Sequence, residues 1–233
     1  MKKFVVFCIV ICLFAGFAHA QLPTLTKKEI KQGWVLLFDG KTSAGWKHFR
    51  GGPFPNGWVI ENGVLTLDNT VKPRPGDIIT EEQFTDFELS LEFRITKGAN
   101  SGIKYFILPG TNLGLEYQVL DDENHPDAKL GKPGTRLQGG LYDVLAPSSK
   151  KKDKPVGEWN HVRIISKGNH VEHWLNGKKI LTFERGSAAF MAAKAESKFK
   201  NDANWGTPKQ APILLQDHGD VVSFRNIKIR KIQ

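Results

Sequence analysis

Cysteine is almost missing from this sequence of 233 residues, and both cysteines, Cys8 and Cys12, lie within its first twenty positions. The rest of the chain holds no thiol, which excludes a disulfide framework and a thiolate metal centre there. Arginine-rich tracts, internal repeats and long biased segments are missing as well. Their absence argues against a fibrous or a disordered protein.

The first twenty residues have the three parts of a cleaved secretory signal. Lys2 and Lys3 give a positive start, residues 4–17 are almost wholly apolar, and Ala18 and Ala20 supply small residues at the peptidase site. The apolar run is shorter than the roughly 20 residues that span a bilayer, and no later stretch is long enough either. We expect cleavage after Ala20, a periplasmic or secreted protein, and no stable membrane insertion.

The net charge of the chain is positive but moderate. Lysine and arginine total 33 against 24 acidic residues, a formal charge of +9 that becomes +7 without the two leader lysines. The basic run at 150–154 has no interleaved aromatic residues, so it indicates a solvated loop rather than a nucleic-acid surface. With 40% hydrophobic and 24% charged residues, the chain at 21–233 is predicted to form one packed domain.

Short apolar or alternating segments separated by Gly, Pro, Asn and Asp follow residue 33, which is the pattern of closely spaced β-strands. Asn62-Gly63 and Asn176-Gly177 favour hairpin turns, because both residue types tolerate a positive φ. About a dozen strands predict an all-β sandwich of two antiparallel sheets, or a jelly roll, with short helices at 26–32 and 187–200. The predicted strands are 35–38, 58–61, 64–67, 87–95, 103–108, 115–120, 140–145, 159–166, 171–175, 179–183, 213–216 and 221–229.

Polar side chains alternate with core residues along several of these strands. Glu116 and Gln118 point away from the predicted core, about 7 Å apart. The loop that follows them places four carboxylates, an amide and His125 within seven residues. Near the C-terminus, Gln216 and His218 are two residues apart, so they would point to the same side of an extended chain. The ordinary explanation for such rows of polar side chains is a sheet face exposed to solvent. If the ends of these strands converge in the fold, the same side chains would instead line a polar cleft.

Other residues leave alternatives open. Arg94 ends the outward row of the strand at 87–95 and leads into a glycine- and asparagine-rich corner that contains Asn100. Trp46 lies in a predicted loop, where a tryptophan either stacks on a sugar ring or packs in the core. We interpret His173, inside a strand, as a structural histidine.

Ten motifs in order resemble the 3-keto-disaccharide hydrolase domain family, whose members are also described as 3-keto-glucoside lyases and hydratases. The resemblance covers nearly the whole chain after the leader. The matching segments are LLFDGK (36–41) with GW (45–46), WVIENGVL (58–65), DFELSLEFR (86–94), NSGI (100–103), EYQVLD (116–121) with HPDA (125–128), GLYD (140–143), GEWN (157–160), HWLNG (173–177), LQDHG (215–219) and FRNIK (224–228).

This resemblance implies a concanavalin-like jelly roll that acts on sugars whose 3-hydroxyl has been oxidised to a ketone. The ketone acidifies the neighbouring C–H bond, so a base removes that proton and the glycosidic oxygen leaves by β-elimination. Hydration of the resulting enone completes a net hydrolysis. The partner that we expect is therefore an oxidised carbohydrate.

Each step of that reaction has candidate residues in this sequence. His125 or His218 is the expected base, because imidazole titrates near neutral pH. Glu116 or Asp121 is expected to exchange the leaving-group proton or to orient a histidine. Donors to the enolate and contacts with the sugar are expected from Arg94, Asn100, Gln118, Tyr142, Gln216 and Trp46.

No cofactor is required by the sequence, but a divalent metal ion is an open alternative for stabilising the enolate. Glu116, Asp121 and His125 are a chemically suitable ligand set, although their spacing matches no fixed metal motif. Adding a chelator to an activity assay would decide whether a metal ion is required.

Two other functions compete with this one. A retaining glycosidase needs two carboxylates roughly 5 Å apart, whereas the strand at 115–120 has an amide, Gln118, where a second acid on the same face is needed. A non-catalytic carbohydrate-binding module needs aromatic platforms and amides, and it has no use for the acid- and histidine-rich loop at 121–127. The sequence therefore favours an enzyme that acts on keto-glycosides.

Overall fold

Thirteen β-strands and two short α-helices form the part of the chain that the computed structural model describes, residues 22–232. The predicted leader and its cleavage point lie outside the described residues. The helices are α1 (Lys27–Lys31) and α2 (Ala188–Ala195). The strands are β1 (Trp34–Leu36), β2 (Trp46–His48), β3 (Trp58–Glu61), β4 (Val64–Leu67), β5 (Ile78–Thr80), β6 (Phe87–Ile95), β7 (Asn100–Tyr105), β8 (Leu115–Leu120), β9 (Asn160–Lys167), β10 (His170–Leu175), β11 (Lys178–Glu184), β12 (Leu214–Leu215) and β13 (Val222–Lys231).

The strands assemble into two antiparallel sheets. The larger sheet has eight strands in the order β11-β10-β9-β6-β13-β4-β3, with β1 paired to β13. The smaller sheet has five, in the order β2-β5-β12-β7-β8. Strands from distant parts of the chain are neighbours in both sheets, as in a jelly roll. The predicted fold class, an all-β concanavalin-like jelly roll with short helices, is confirmed.

The hydrophobic core lies between the inner faces of the two sheets. In β6, Leu89, Leu91 and Phe93 are fully buried, as their alternation predicts. Ile103 of β7 and Tyr117 of β8 are register partners and equally buried. The residues next to them in sequence therefore lie on the outer face of the smaller sheet.

The predicted strand at 140–145 is wrong, because this segment forms a turn. Gly139 and Asp143 have φ values of 83° and 64°, which a regular strand does not allow. Leu141 makes isolated bridges to Tyr117 of β8 and to Leu145, and no regular strand pairing. Two residues with left-handed backbone thus convert an apolar run into a turn against the edge of the sheet.

The strand predicted at 103–108 corresponds to β7, which begins and ends three residues earlier in the chain. β7 ends at Tyr105, because Phe106 has a φ of 50° and turns the chain out of the sheet. The sequence does not predict β2 and β5, since three residues each are too few for a periodic pattern.

Both helices begin at a side-chain cap. Thr26 and Glu29 form a capping box at the start of α1, and Ser187 accepts the backbone N–H of Phe190 at the start of α2 (3.2 Å). The second helix is shorter than the predicted 187–200. Within residues 22–232, no helix has the length and the apolar character needed to cross a bilayer.

The segment after α2 is ordered by packing rather than by helical hydrogen bonds. Trp205 stacks on Phe190 and on Phe199, with ring centroids 5.7 and 4.5 Å apart. The buried ammonium of Lys194 donates to the carbonyl of Asp202 (2.6 Å). These contacts hold the segment against α2, and the Nε1–H of Trp205 donates to the carbonyl of Gly114, just before β8 (2.9 Å).

His173 of β10 is completely buried and joins the two sheets. Its Nδ1–H donates to the carbonyl of Gly139 (2.9 Å), and its Nε2 accepts the hydroxyl of Tyr105 in β7 (2.6 Å). Both ring nitrogens are satisfied by the neutral imidazole. Burial lowers the pKa of His173 to about 4.

We predict that lowering the pH from 6.5 to 4 destabilises the protein in part through His173. The unfolded chain takes up a proton near the ordinary pKa of 6.5, whereas the folded chain leaves this histidine neutral down to about pH 4. The free energy of unfolding therefore falls as the pH falls through this window, by on the order of 3 kcal/mol in total. Denaturant unfolding between pH 7 and pH 4 measures the effect.

His173→Gln is the matched variant, because glutamine keeps one donor and one acceptor but takes up no proton. We expect it to be less stable than the natural protein at pH 7 and to show a flatter pH dependence between 6.5 and 4. Parallel pH profiles for the two proteins would contradict this role of His173.

Candidate active site

Polar side chains lie together on the outer face of the smaller sheet. β7 supplies Asn100 and Lys104, β8 supplies Glu116 and Gln118, and Gln216 follows β12. The first four are at least nine-tenths buried. The outward direction predicted for Glu116 and Gln118 is confirmed, but loops cover this face. The cleft between sheet and loops is also lined by Asn112, Leu113, Gly114, Tyr142, Lys198, Phe199 and His218.

Glu116 is held by groups on both sides. Its Oε2 lies 3.5 Å from Nζ of Lys104, its register partner on β7. With the amide of Gln118 oriented to satisfy its neighbours, that amide donates to Oε1 of Glu116 (3.2 Å) and to the carbonyl of Ser101 (3.1 Å). Lys104 also donates to the carbonyl of Asn112 (3.2 Å). The carboxylate is thus oriented at the floor of the cleft.

Two histidines from distant parts of the chain meet at the edge of this cleft. The rings of His125, which follows β8, and His218, which follows β12, are in edge-to-face contact with centroids 6.0 Å apart. His218 lines the same cleft as Glu116. The strand ends therefore converge, which is the arrangement that the sequence hypothesis required.

His125 has a defined pattern of hydrogen bonds. Its Nδ1 accepts the backbone N–H of Asp127 (3.1 Å) at the start of a 3-10 turn, Pro126–Lys129. A neutral imidazole has one protonated nitrogen, so the proton lies on Nε2. The N–H donor of His125 is therefore on Nε2, whereas His218 is exposed and its ring makes no such bond among the described contacts.

A metal ion here would use a different ligand set from the predicted one. In the described part of the chain, His125, His218 and Asp220 form the group whose ligand atoms all lie within 4.8 Å of one another. Glu116 and Asp121 are outside this group. A neutral histidine binds a metal through an unprotonated nitrogen, and in His125 that nitrogen already accepts a backbone N–H. His125, His218 and Asp220 thus replace the predicted set as the candidate metal ligands in the described residues.

Lys198 and Tyr142 form the wall opposite the sheet. The Nζ of Lys198 lies 4.1 Å from the centre of the Tyr142 ring. Desolvation around the amino group lowers the pKa of Lys198, and the nearby carboxylate of Glu116 opposes this change. Burial and the carboxylate of Asp127 raise the pKa of Tyr142, which keeps its phenol protonated at neutral pH.

Arg136 holds the loops around the cleft together. Its guanidinium donates to Asp127 and Asp143, at 2.6 Å in each case, and all three groups are largely buried. The other oxygen of Asp143 accepts the backbone N–H of Lys198 (2.6 Å). These ion pairs connect the loop after β8, the turn that contains Tyr142, and the segment that contains Lys198.

Gln216 presents an acceptor that the protein leaves unused. Its Oε1 is buried and has no hydrogen-bond partner among the described residues. An unpaired buried acceptor is unfavourable, so a hydroxyl group of a bound sugar is well suited to this position.

Asp121 does not reach the cleft. Its carboxylate accepts the backbone N–H of Gly98 (2.7 Å), the side-chain amide of Asn124 (2.8 Å) and two further backbone N–H groups. Burial by itself would raise the pKa of Asp121, but these hydrogen bonds outweigh it and lower the pKa. Asp121 shapes the loop after β8, and its predicted catalytic and metal-binding roles do not fit this position.

Trp46 and Arg94 also lie away from the cleft. Trp46 is buried in β2, where its Nε1–H donates to the carbonyl of Leu37 (2.6 Å). Arg94 lies on the outer face of the larger sheet, 4.7 Å from the ring of Trp159. Tryptophan and arginine both suit sugar binding, but the order of the strands in the two sheets places Trp46 and Arg94 outside the cleft. Their predicted roles as sugar contacts do not fit these positions.

A larger cavity of about 670 Å³ lies beside Arg94 on that face of the larger sheet. Several of its charged groups are paired, as in the ion pairs of Glu92 with Arg225 and of Glu29 with Lys228. Arg94 lies over the ring of Trp159, and His161 is hydrogen-bonded to Ser90 (2.9 Å). The cleft on the smaller sheet also contains an ion pair, Glu116 with Lys104, but it brings together predicted site residues from β7, from β8 and from the segment after β12. We therefore assign the chemistry to the cleft on the smaller sheet.

Sequence reasoning missed Lys104 and Lys198. Lys104 has the same parity as Asn100 in β7, so the alternation that revealed Glu116 also applies to it. Lys198 had no usable signal, because it lies beyond the end of α2 and reaches the cleft only through the packing of that segment.

Known proteins match this chain along most of its length. Residues 33–230 match the family described as the 3-keto-alpha-glucoside-1,2-lyase-like domain. The chain belongs to this family. The resemblance seen in the sequence motifs is thus confirmed, and the family match contains every residue of the cleft.

Relatives of this family member extend the comparison. A protein from Bacteroides thetaiotaomicron named 3-keto-disaccharide hydrolase is 33% identical over 241 residues, covering 91% of this chain and 82% of the relative. A crystal structure from Parabacteroides distasonis, described provisionally as a glycosyl hydrolase, is 31% identical with a TM-score of 0.81, covering 91% of this chain and all of that one. The carbohydrate-binding module CBM66 from Bacillus subtilis has a TM-score of 0.51 at 12% identity, over 80% of this chain and 96% of its own, and shares the fold alone.

We predict that Arg136→Met lowers the free energy of unfolding by about 3 kcal/mol, because it leaves Asp127 and Asp143 buried without their cation. Lys132→Ala is the control, since the ion pair of Lys132 with Glu196 is exposed and its loss is expected to cost less than about 0.5 kcal/mol. Urea unfolding measures both changes. Equal losses for the two variants would show that the Arg136 ion pairs do not stabilise the loops.

Proposed function

We propose that this chain cleaves the glycosidic bond of 3-keto-glycosides by β-elimination and then hydrates the product. The family match supports the substrate class, as does the relative named 3-keto-disaccharide hydrolase. The observation on which the proposal depends is the convergence of His218, Glu116 and two lysines in one cleft. These are acid–base groups and cations, which such a reaction needs.

The reaction depends on the acidity that the 3-ketone gives to the hydrogen on C2. A base removes this proton, the electron pair moves to form the enolate, and the oxygen on C1 leaves with a proton from a donor. Water then adds to C1 of the enone, and C2 regains a proton. Catalysis requires a base at C2, cations or donors at the enolate oxygen, and a proton donor at the leaving oxygen.

His218 is the base in this proposal, and His125 is a donor. The exposed ring of His218 has a nitrogen available to accept the proton from C2. His125 has its proton on Nε2, because its Nδ1 accepts the N–H of Asp127. The structure thus supports different roles for two histidines that the sequence left equivalent.

Lys198 is the donor to the leaving oxygen. Its lowered pKa makes the ammonium a stronger acid than an ordinary lysine, and the neutral amine that remains is able to accept a proton again. Lys104 and the protonated phenol of Tyr142 supply positive charge and a hydrogen bond for the enolate oxygen. Glu116 accepts a proton from the water that adds to C1.

Contacts with the sugar hydroxyls come from amides. Asn100 lies beside Glu116 in the lining of the cleft, and the unpaired Oε1 of Gln216 is suited to accept a hydroxyl hydrogen. Gln118 is completely buried beneath them and holds Glu116 rather than the sugar. An enzyme of this kind, with the leader pattern at 1–20, would act in the periplasm or outside the cell.

We predict that the purified protein releases the leaving group from a 3-keto-glucoside but not from the same glucoside with its 3-hydroxyl intact, because only the ketone makes the C2 hydrogen acidic. A chromogenic leaving group measures the release, and the assay is repeated with a chelator, with no expected change. Release from both substrates would indicate an ordinary glycosidase, and release from neither would indicate a binding module.

We predict that His218→Ala and Glu116→Gln each lower kcat on the keto substrate by about 100-fold or more, the usual contribution of a general acid or base. His170→Ala is the control, because this histidine is exposed on the larger sheet and is paired with Glu184. Its kcat should match that of the natural protein. If both cleft variants keep full activity while folded, as judged by thermal melting, the assignment of the cleft is wrong.

A further inference from the structure

The floor of the cleft has a gap at Gly102. This glycine lies in β7 on the same face as Asn100 and Lys104, and it is the register partner of Gln118. Its carbonyl accepts the backbone N–H of Gln216 (3.0 Å). Polar side chains therefore surround a position that has no side chain of its own.

The backbone conformation does not explain a glycine at this position. Gly102 is not among the glycines with positive φ, and it continues the regular pairing of β7 with β8. Glycine inside a strand is normally unfavourable, because it has no side chain to pack and loses more conformational freedom on folding. The reason for it must lie in the space above the strand.

That space is occupied by the side chain of Glu116. A Cβ atom on Gly102 would lie 2.8 Å from Cδ and 3.0 Å from Cγ of Glu116, and closer still to its Oε1. The Glu116 side chain therefore lies flat over the backbone of β7. In this position its carboxylate lies near both Lys104 and the amide of Gln118.

We infer that Gly102 is a positioning residue for Glu116, and the catalytic part of this inference rests on the proposed function. The missing Cβ allows the carboxylate to lie at the floor of the cleft. A methyl group at this position would push the carboxylate up into the space for the sugar and away from its two partners. Displacing a reacting group by about 1 Å costs on the order of 100-fold in rate.

A double-mutant cycle tests the inference with Gly102→Ala, Glu116→Ala and the double variant. In the natural background, Gly102→Ala is expected to lower Tm and to lower kcat by about 100-fold, with a smaller change in KM. In the Glu116→Ala background the obstructing side chain is gone, so the same change is expected to lower neither kcat nor Tm further. A residue that merely supports the fold would lower Tm in both backgrounds.

Gly40→Ala is the control for a destabilising change outside the cleft, because Gly40 has a φ of 77° and a Cβ there would lie 2.6 Å from Cδ of Pro23. It should lower Tm equally with and without the Glu116 side chain and leave kcat unchanged. Additive effects of Gly102→Ala and Glu116→Ala on Tm would overturn the inference.

The Tm part of the cycle needs no substrate and separates the two hypotheses. If the Tm effects of Gly102→Ala and Glu116→Ala are coupled but the protein does not act on the keto substrate, the steric contact between the two residues is supported and the proposed function is overturned. If the natural protein acts on the keto substrate but the two substitutions have additive effects on Tm and kcat, the role of Gly102 is overturned and the proposed function is supported.

Discussion

The antiparallel register of β7 against β8 is the constraint on which the cleft depends. Side chains alternate along a strand, so the register that buries Ile103 and Tyr117 in the core also places Lys104 and Glu116 on the opposite face. A shift of one residue would exchange the two sets and bring charged groups into the apolar core. The core thus determines the position of the polar groups, although it contains none of them.

Charge compensation distinguishes the two outer faces of the sandwich. On the larger sheet, Glu88 is paired with Arg163 and Arg230, and such pairs form a largely compensated surface. On the smaller sheet, loops bury the polar face, and burial of charge is unfavourable unless the charges are paired. Arg136 meets this requirement in the loops, and Lys104 meets it for Glu116 at the floor of the cleft, so the ion pairs on this face are buried rather than exposed.

The two histidines show how environment separates side chains of one type. His125 starts a 3-10 turn and uses Nδ1 to accept a backbone N–H. His218 lies at the end of a strand, on the exposed side of the cleft. Their rings touch, but the different hydrogen bonds make one a donor and leave the other able to accept a proton.

Local patterns predicted much of the fold and part of the cleft. The alternation in β6 and β8 placed the core and turned Glu116 outward, because the period of a strand is a local property. The same reasoning failed at 140–145, since the positive φ of Asp143 is imposed by its tertiary contacts with Arg136 and Lys198.

Residue chemistry alone did not distinguish Trp46, buried in the core, from a residue that touches a sugar. The sequence by itself determined which faces of the strands are polar and which loops are rich in acid–base groups. Only the tertiary structure decided which of these groups meet. Sheet order placed β12 beside β7, and that order depends on packing over the whole chain rather than on any local segment.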